Sequence, residues 1–132
     1  MSEMLSKKLG EMEYDGLVTD IIPETEVRGK TIRKMAAETV LKRGTILCMS
    51  GTDNKLVILG TTAADSETLT PDCILCDDVT VGTSDDVIAT VYTAGCFNTD
   101  KVIVKSGYTI TAADYDTLRK YGIVFKAASK AN

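Results

Sequence analysis

Val87-Ile88-Ala89-Thr90-Val91-Tyr92-Thr93-Ala94-Gly95-Cys96-Phe97 is the stretch on which the fold turns. β-Branched and aromatic residues run through it and no proline interrupts it, so it predicts a strand, the strongest in the chain. Working backward, Gly82 to Asp86 is a turn, and Cys73 to Val81 predicts a strand with Asp77 and Asp78 at its middle. Gly60 to Asp72 reads as a polar loop holding a proline near its end. Lys55 to Leu59 and Leu41 to Met49 predict two strands joined through the turn cluster Ser50-Gly51-Thr52-Asp53-Asn54, a hairpin, with Gly44 turning the chain before the apolar run. Val27 to Met35 is a further strand or hairpin arm.

Downstream the pattern changes. Thr111-Ala112-Ala113-Asp114 fits a capping box with Thr111 as N-cap. Tyr115, Leu118 and Tyr121 follow at three-residue spacing, and Gly122 stands where a helix C′ residue belongs. A short helix over 112–121 and a last strand at Ile123-Val124-Phe125 are expected, with a small polar tail from Lys126 to Asn132 that frays. The fold class is mostly β (α+β).

The chain has 132 residues, enough for one domain with its own core. No apolar run approaches the roughly 20 residues that span a bilayer, and Glu11, Glu13 and Asp15 stand where the apolar stretch of a signal peptide would be. The expectation is no membrane and no secretion signal. There is no histidine, which removes Ser-His-Asp and Cys-His catalysis and most catalytic zinc sites. Carboxylate, lysine or cysteine chemistry stays open. Charge is segregated: eight acids and no Lys or Arg from Leu56 to Asp100, six bases and two acids from Lys101 onward, nine of each before that. The net charge of −4 argues against nucleic acid, which needs a basic footprint. The acidic stretch is either a solvated face or a docking face for a basic partner or a neighbouring copy.

Cys48, Cys73, Cys76 and Cys96 offer only one ligand-like spacing, Cys73-Ile-Leu-Cys76, and on a strand that spacing points the thiols to opposite faces. They are expected to be small buried hydrophobes, free because synthesis takes place in a reducing cytoplasm. No cofactor or metal is expected. Asp77-Asp78 and Asp85-Asp86 are adjacent pairs, and neighbours on a strand face opposite ways, so turn acids are expected rather than a catalytic dyad. EF-hand spacing, a P-loop and Gly-x-Gly-x-x-Gly are absent. Ser106-Gly107-Tyr108 matches part of a dUTPase-type motif, but Thr109 stands where that motif needs aspartate, and its companions are missing.

The first 26 residues read differently. Met1, Leu5, Leu9 and Met12 fall at helical spacing, broken by charges and Gly10, and Tyr14 to Pro23 is an extended piece ending at proline. The entropy cost of ordering this segment is comparable with what its apolar side chains return on burial, so it has little margin alone. It is expected to be an arm (residues 1–26) that orders where another surface covers it, beside a domain over 27–132. In an added strand, Leu17, Thr19 and Ile21 would face one way and Val18, Asp20 and Ile22 the other.

From about Ala37 to Phe125 the chain resembles the lambda-type phage head decoration proteins, which stabilise capsids. Leu41-Lys42-Arg43-Gly44-Thr45-Ile46-Leu47 is similar to their opening strand, and Cys73-Ile74-Leu75-Cys76-Asp77-Asp78-Val79 to their aliphatic strand followed by acids. Val91-Tyr92-Thr93-Ala94-Gly95-Cys96-Phe97-Asn98 is similar to their Gly-x-Phe-Asn strand, and Leu118-Arg119-Lys120-Tyr121-Gly122-Ile123 to their closing helix. The resemblance implies a compact β-clip-like domain, non-enzymatic, without cofactors. Its implied partners are itself, as a homotrimer, and the major capsid protein, on the outer surface of an expanded icosahedral head. It also implies an N-terminal arm that adds a strand to a capsid protein sheet. Tyr14, Leu17, Val18, Thr19, Ile21, Ile22 and Pro23 would make the arm contact, and Tyr92, Phe97, Leu118 and Tyr121 would serve as trimer or core contacts. Other readings are a minor capsid or tail structural protein, a small β-barrel enzyme using Asp77, Asp78 or Cys76, and a stand-alone ligand-binding module.

Overall fold

A computed structural model describes residues 17–20 and 24–126. Among the described residues nine strands and one helix follow in order: β1 (Val18–Asp20), β2 (Glu26–Ile32), β3 (Thr39–Leu41), β4 (Ile46–Ser50), β5 (Leu56–Ile58), β6 (Leu69–Leu75), β7 (Val79–Val81), β8 (Val87–Asn98), α1 (Ala112–Lys120) and β9 (Ile123–Lys126). The expected mostly β fold with one short helix is present.

The strand read first is the hub. Along its N-terminal part β8 pairs antiparallel with β2, from Val27↔Tyr92 to Ile32↔Val87. On its other edge it meets β6 at Ile74↔Tyr92 and Leu75↔Val91. β6 pairs with β4, β4 with β5, and β5 returns to β2 through the single parallel pair Ile32↔Leu56. Five strands therefore close into a ring, which leaves no open edge within the ring itself. The C-terminal end of β8 runs on past the ring, taking β9 in parallel and β1 antiparallel. Gly95 sits where β8 changes role. Its φ of +145°, and a ring atom of Phe97 only 2.9 Å from where a Cβ would lie, leave room for glycine alone.

Closure explains the apolar runs. Ile32, Leu47, Cys73, Leu75, Ala89 and Val91 fill the barrel interior. Their alternate neighbours Ile46, Cys48, Ile74, Cys76 and Tyr92 belong to a second core with Phe97, Leu118 and Ile123, under the helix and β9. Strands buried on both faces read as continuous hydrophobic segments rather than alternating ones. Cys73 and Cys76 fall in different cores, as their spacing requires. All four cysteines are free and buried. The capping box is formed, with Asp114 N donating to Thr111 Oγ1 and Thr111 N to the Asp114 carboxylate.

Three expectations change. The loop expected over 60–72 gives way to strand at Leu69, with Pro71 inside β6. Cys48 faces Pro71 while Leu47 faces Cys73, so Asp72 is the extra residue of a bulge, and a bulge tolerates the missing proline N–H. The strand expected over 73–81 is two strands. The Asp78 carboxylate accepts from Arg43 N (2.8 Å), the chain turns, and β7 pairs with β3 in a separate ribbon. Leu17 was expected on an arm apart from the core, yet it is 1% exposed inside the second core, and Glu26 already belongs to β2. The expected division at residue 26 thus falls within paired strand. The readings of Met1, Leu5, Leu9, Met12, Tyr14, Ile21, Ile22, Pro23 and the tail beyond Lys126 lie outside the described residues.

Candidate functional site

The arm residues that are described are stitched to the end of β8. Val18 lies opposite Phe97 and Asp20 opposite Cys96. Asn98 N donates to Leu17 O at 2.7 Å, and the Thr19 hydroxyl lies 3.3 Å from the Cys96 sulfur. Leu17 packs beside Gly44, 3.5 Å from where a Cβ would project there. Among the described strands, β1 pairs only with β8. Of the residues expected as trimer or core contacts, Tyr92, Phe97 and Leu118 are buried in the second core, and Tyr121 is 51% exposed after the helix.

Of the groups that could carry chemistry, Asp77 is exposed, and the thiols and Asp78 are used by the fold. Burial pushes the Cys48 thiol up to about 12 and the Cys76 thiol to about 11, and raises Cys73 well above its usual value. Such thiols are neutral and poor nucleophiles at neutral pH. Arg43 Nη1 donates to the Cys76 carbonyl (2.9 Å) and the Tyr92 hydroxyl (2.6 Å), and its guanidinium lies 5.4 Å above the Tyr92 ring. Asp78 is taken by Arg43 N and Lys42, Asp86 by Lys34 N and Lys55. No group of three or more Cys, Asp or Glu side chains arranged to hold a metal occurs among the described residues. Among them, no helix is long and apolar enough to cross a membrane.

The thiols yield an expected result with a definite sign. In the folded chain Cys48, Cys73 and Cys76 keep their protons, while the unfolded chain loses them near the ordinary value of 9.0. From there up to about 12 the unfolded state holds fewer protons, so stability falls as pH rises through that window. Urea midpoints at pH 8 and 10.5 should show the fall, and Cys48→Ala should make it shallower. An unchanged slope would mean that Cys48 is as free to ionise when folded as when unfolded.

The segregated charges meet inside the molecule. Lys30 pairs with Asp72 (2.7 Å), Lys42 with Asp78 (3.6 Å) and Lys55 with Asp86. Arg33 grips Asp53 through Nε and Nη2 and reaches Glu67 at 2.6 Å. Glu67 also accepts from Ser50 Oγ and Ala64 N; Arg33 first, then Ser50, holds its carboxyl down at about 2. Four of the acids between Leu56 and Asp100 therefore answer cations from the first 55 residues. The other four acids of that stretch, Asp65, Asp77, Asp85 and Asp100, are exposed.

What remains open is apolar surface. Ile88, 77% exposed, lies beside Gly29 on the outer face of the β2–β8 pair, with Val27 farther along β2. Val40 and Ile103 are also exposed. Surface hollows are small: about 270 Å³ between α1 and β9, about 250 Å³ beside Met35, Leu41 and Ile58, and about 190 Å³ between β3 and Ile103. Pockets for small molecules usually span roughly 300–1,000 Å³.

A closed five-stranded barrel extended by β1, β9 and a short helix is a compact β domain. No curated protein matches the chain. The bacteriophage lambda head decoration protein D family matches residues 26–123, from the first residue of β2 to the first of β9, and the chain belongs to that family. Membership carries a structural role on the phage capsid.

Proposed function

We propose that this protein is a non-enzymatic cement of a phage head. It assembles as a homotrimer on the outer surface of the expanded shell and ties neighbouring major capsid proteins together against internal DNA pressure. The observation that carries this reading is the family match across the whole barrel. Two features support it. Of the residues an enzyme reading would need, Cys76 is buried and Asp78 is paired, while Asp77 is exposed. The place of β1 at the margin of the described strands and the sequence before Leu17 suit strand addition, in which backbone hydrogen bonds give affinity and alternate side chains give fit. Three arms on one trimer multiply weak contacts through effective concentration. On this reading Tyr14, Ile21, Ile22 and Pro23 touch the capsid, and Val18 and Thr19 carry the strand from which the arm leaves.

The test is a titration of expanded heads lacking the protein. Saturation is expected near one copy per major capsid protein, with bound density at three-fold and quasi-three-fold positions. Saturation at a few copies per head would place the chain among minor capsid or tail components instead.

A further inference from the structure

The ring of strands is not closed evenly. β2 pairs with β8 over its whole length, β4 with β6 over all of β4, and β5 with β4 over all of β5. β6 meets β8 at Ile74↔Tyr92 and Leu75↔Val91 and adds a bond from Cys76 N to Thr90 O. The β2–β5 junction has the single pair Ile32↔Leu56 and one bond beyond it, from Arg33 N to Leu56 O at 2.9 Å. Past that point the two chains part. Lys34 N donates to the Asp86 carboxylate and Met35 N to Gly82 O, neither of them to β5. The hollow of about 250 Å³ lined by Ile32, Lys34, Met35, Val57 and Ile58 lies where they diverge.

Side chains hold what the backbone does not. Arg33, the residue after β2, binds Asp53 in the turn before β5 through two bonds, Nε to Oδ2 at 3.1 Å and Nη2 to Oδ1 at 3.0 Å. The same Nη2 reaches Glu67 in the loop before β6. Lys55, the residue before β5, pairs with Asp86, the residue before β8, and Lys55 N donates to Asp53 Oδ1 at 3.0 Å. Asp86 also takes Lys34 N, so one carboxylate joins the chain leaving β2 to the chain entering β5. Arg33, Asp53, Lys55 and Asp86 are each 26–36% exposed, and only Glu67, at 6%, is well covered. Salt weakens ion pairs of that exposure, whereas the burial of Ile32 and Leu56 beneath them does not depend on charge. We propose that this ion cluster is a latch on the barrel: it keeps β5 against β2, and without it the seam opens while the other junctions hold. Breaking one junction of a closed ring leaves an open sheet in the order β2–β8–β6–β4–β5, with β2 and β5 as new edges. The latch thereby sets whether the barrel offers its own strand edges to another chain. It stands apart from the cementing role and is tested without heads.

The test is residue-resolved amide exchange on the full-length chain. In about 1 M NaCl, where the screening length falls to roughly 3 Å, exchange of Arg33 N should speed up at least about fivefold over low salt. Leu75 N, bonded to Thr45 O, and Cys76 N, bonded to Thr90 O, should change less than about twofold. Glu67→Gln with Asp86→Asn keeps both shapes and removes both charges. That variant should show the same pattern at low salt and little further effect of salt. Equal acceleration at all three amides would mean that the ring opens only by unfolding throughout, and it overturns the proposal. An Arg33 amide that salt leaves unchanged overturns it too. If the double variant does not fold, the salt comparison on the unaltered chain decides.

Discussion

Phe97→Ala should destabilise the protein by about 3–5 kcal/mol, the usual cost of emptying a buried aromatic site. For a domain whose whole stability is about 5–15 kcal/mol, that is about a fifth of the total or more. The site explains why the figure belongs at the upper end. Phe97 is fully buried in the second core, where its ring meets Tyr92 at 5.2 Å and Phe125 at 6.4 Å between centroids. Phe125 in turn meets Tyr115 of the helix edge-on at 5.0 Å. On the backbone Phe97 pairs with Val18 on one side and Phe125 on the other, so β1, β9 and α1 all lean on one side chain. Gly95 beneath the ring holds a left-handed φ and cannot relax to fill the gap. Thermal unfolding should come down on the order of 10–20 °C. Ile88→Ala, at the exposed face of β8, is the control and should change stability by less than about 0.5 kcal/mol. A loss under about 1 kcal/mol for Phe97→Ala would mean that the second core does not unfold together with the barrel.

How much of this was legible depends on where the information sat. Val87–Asn98, the hairpin of β4 and β5, and the capping box at Thr111 were readable because turn residues and apolar periodicity are local signals. The start of β6 was not, because proline normally excludes a strand and only the partner strand reveals that Pro71 sits at a bulge. The break after Leu75 hides in an apolar run followed by acids, and it is decided by Arg43, 35 residues away from Asp78 in sequence. Charge segregation was visible, but its resolution into Lys30–Asp72, Arg33–Glu67 and Lys55–Asp86 needed the fold. The two hollows on either side of Leu41 draw on Ile32 to Lys42, Val57 to Thr61 and Ile103 to Ser106, separated stretches that no spacing rule connects. Leu17 was misplaced for a different reason. A comparison summed over the whole arm conceals one member that belongs to the core. The uncharged run Gly16-Leu17-Val18-Thr19 between Asp15 and Asp20 was the available clue.

That misplacement can be turned into a paired experiment, in which two truncations ten residues apart should behave differently. Removing residues 1–16 leaves Leu17 in its pocket and β1 on β8, so the protein should stay folded and soluble with a urea midpoint close to that of the full chain. On the proposed function it should lose nearly all binding to expanded heads. Removing residues 1–26, expected from sequence alone to be equally harmless to the fold, also takes away Leu17, β1 and the first residue of β2. Emptying the Leu17 site alone costs about 2–5 kcal/mol in comparable cores. Asn98 N, which donates to Leu17 O, and the edge of β8 opposite β9 then lose their partners as well. The longer deletion should therefore unfold at lower denaturant or collect as aggregate, and its failure to bind heads would carry no information about the arm. The shorter deletion separates the two roles. If it folds and binds heads as the full chain does, the contact with the capsid lies on the barrel surface and the arm reading is wrong. If it folds and binds no heads, the residues before Leu17 hold the capsid, and Leu17 marks the point where the arm ends and the domain begins.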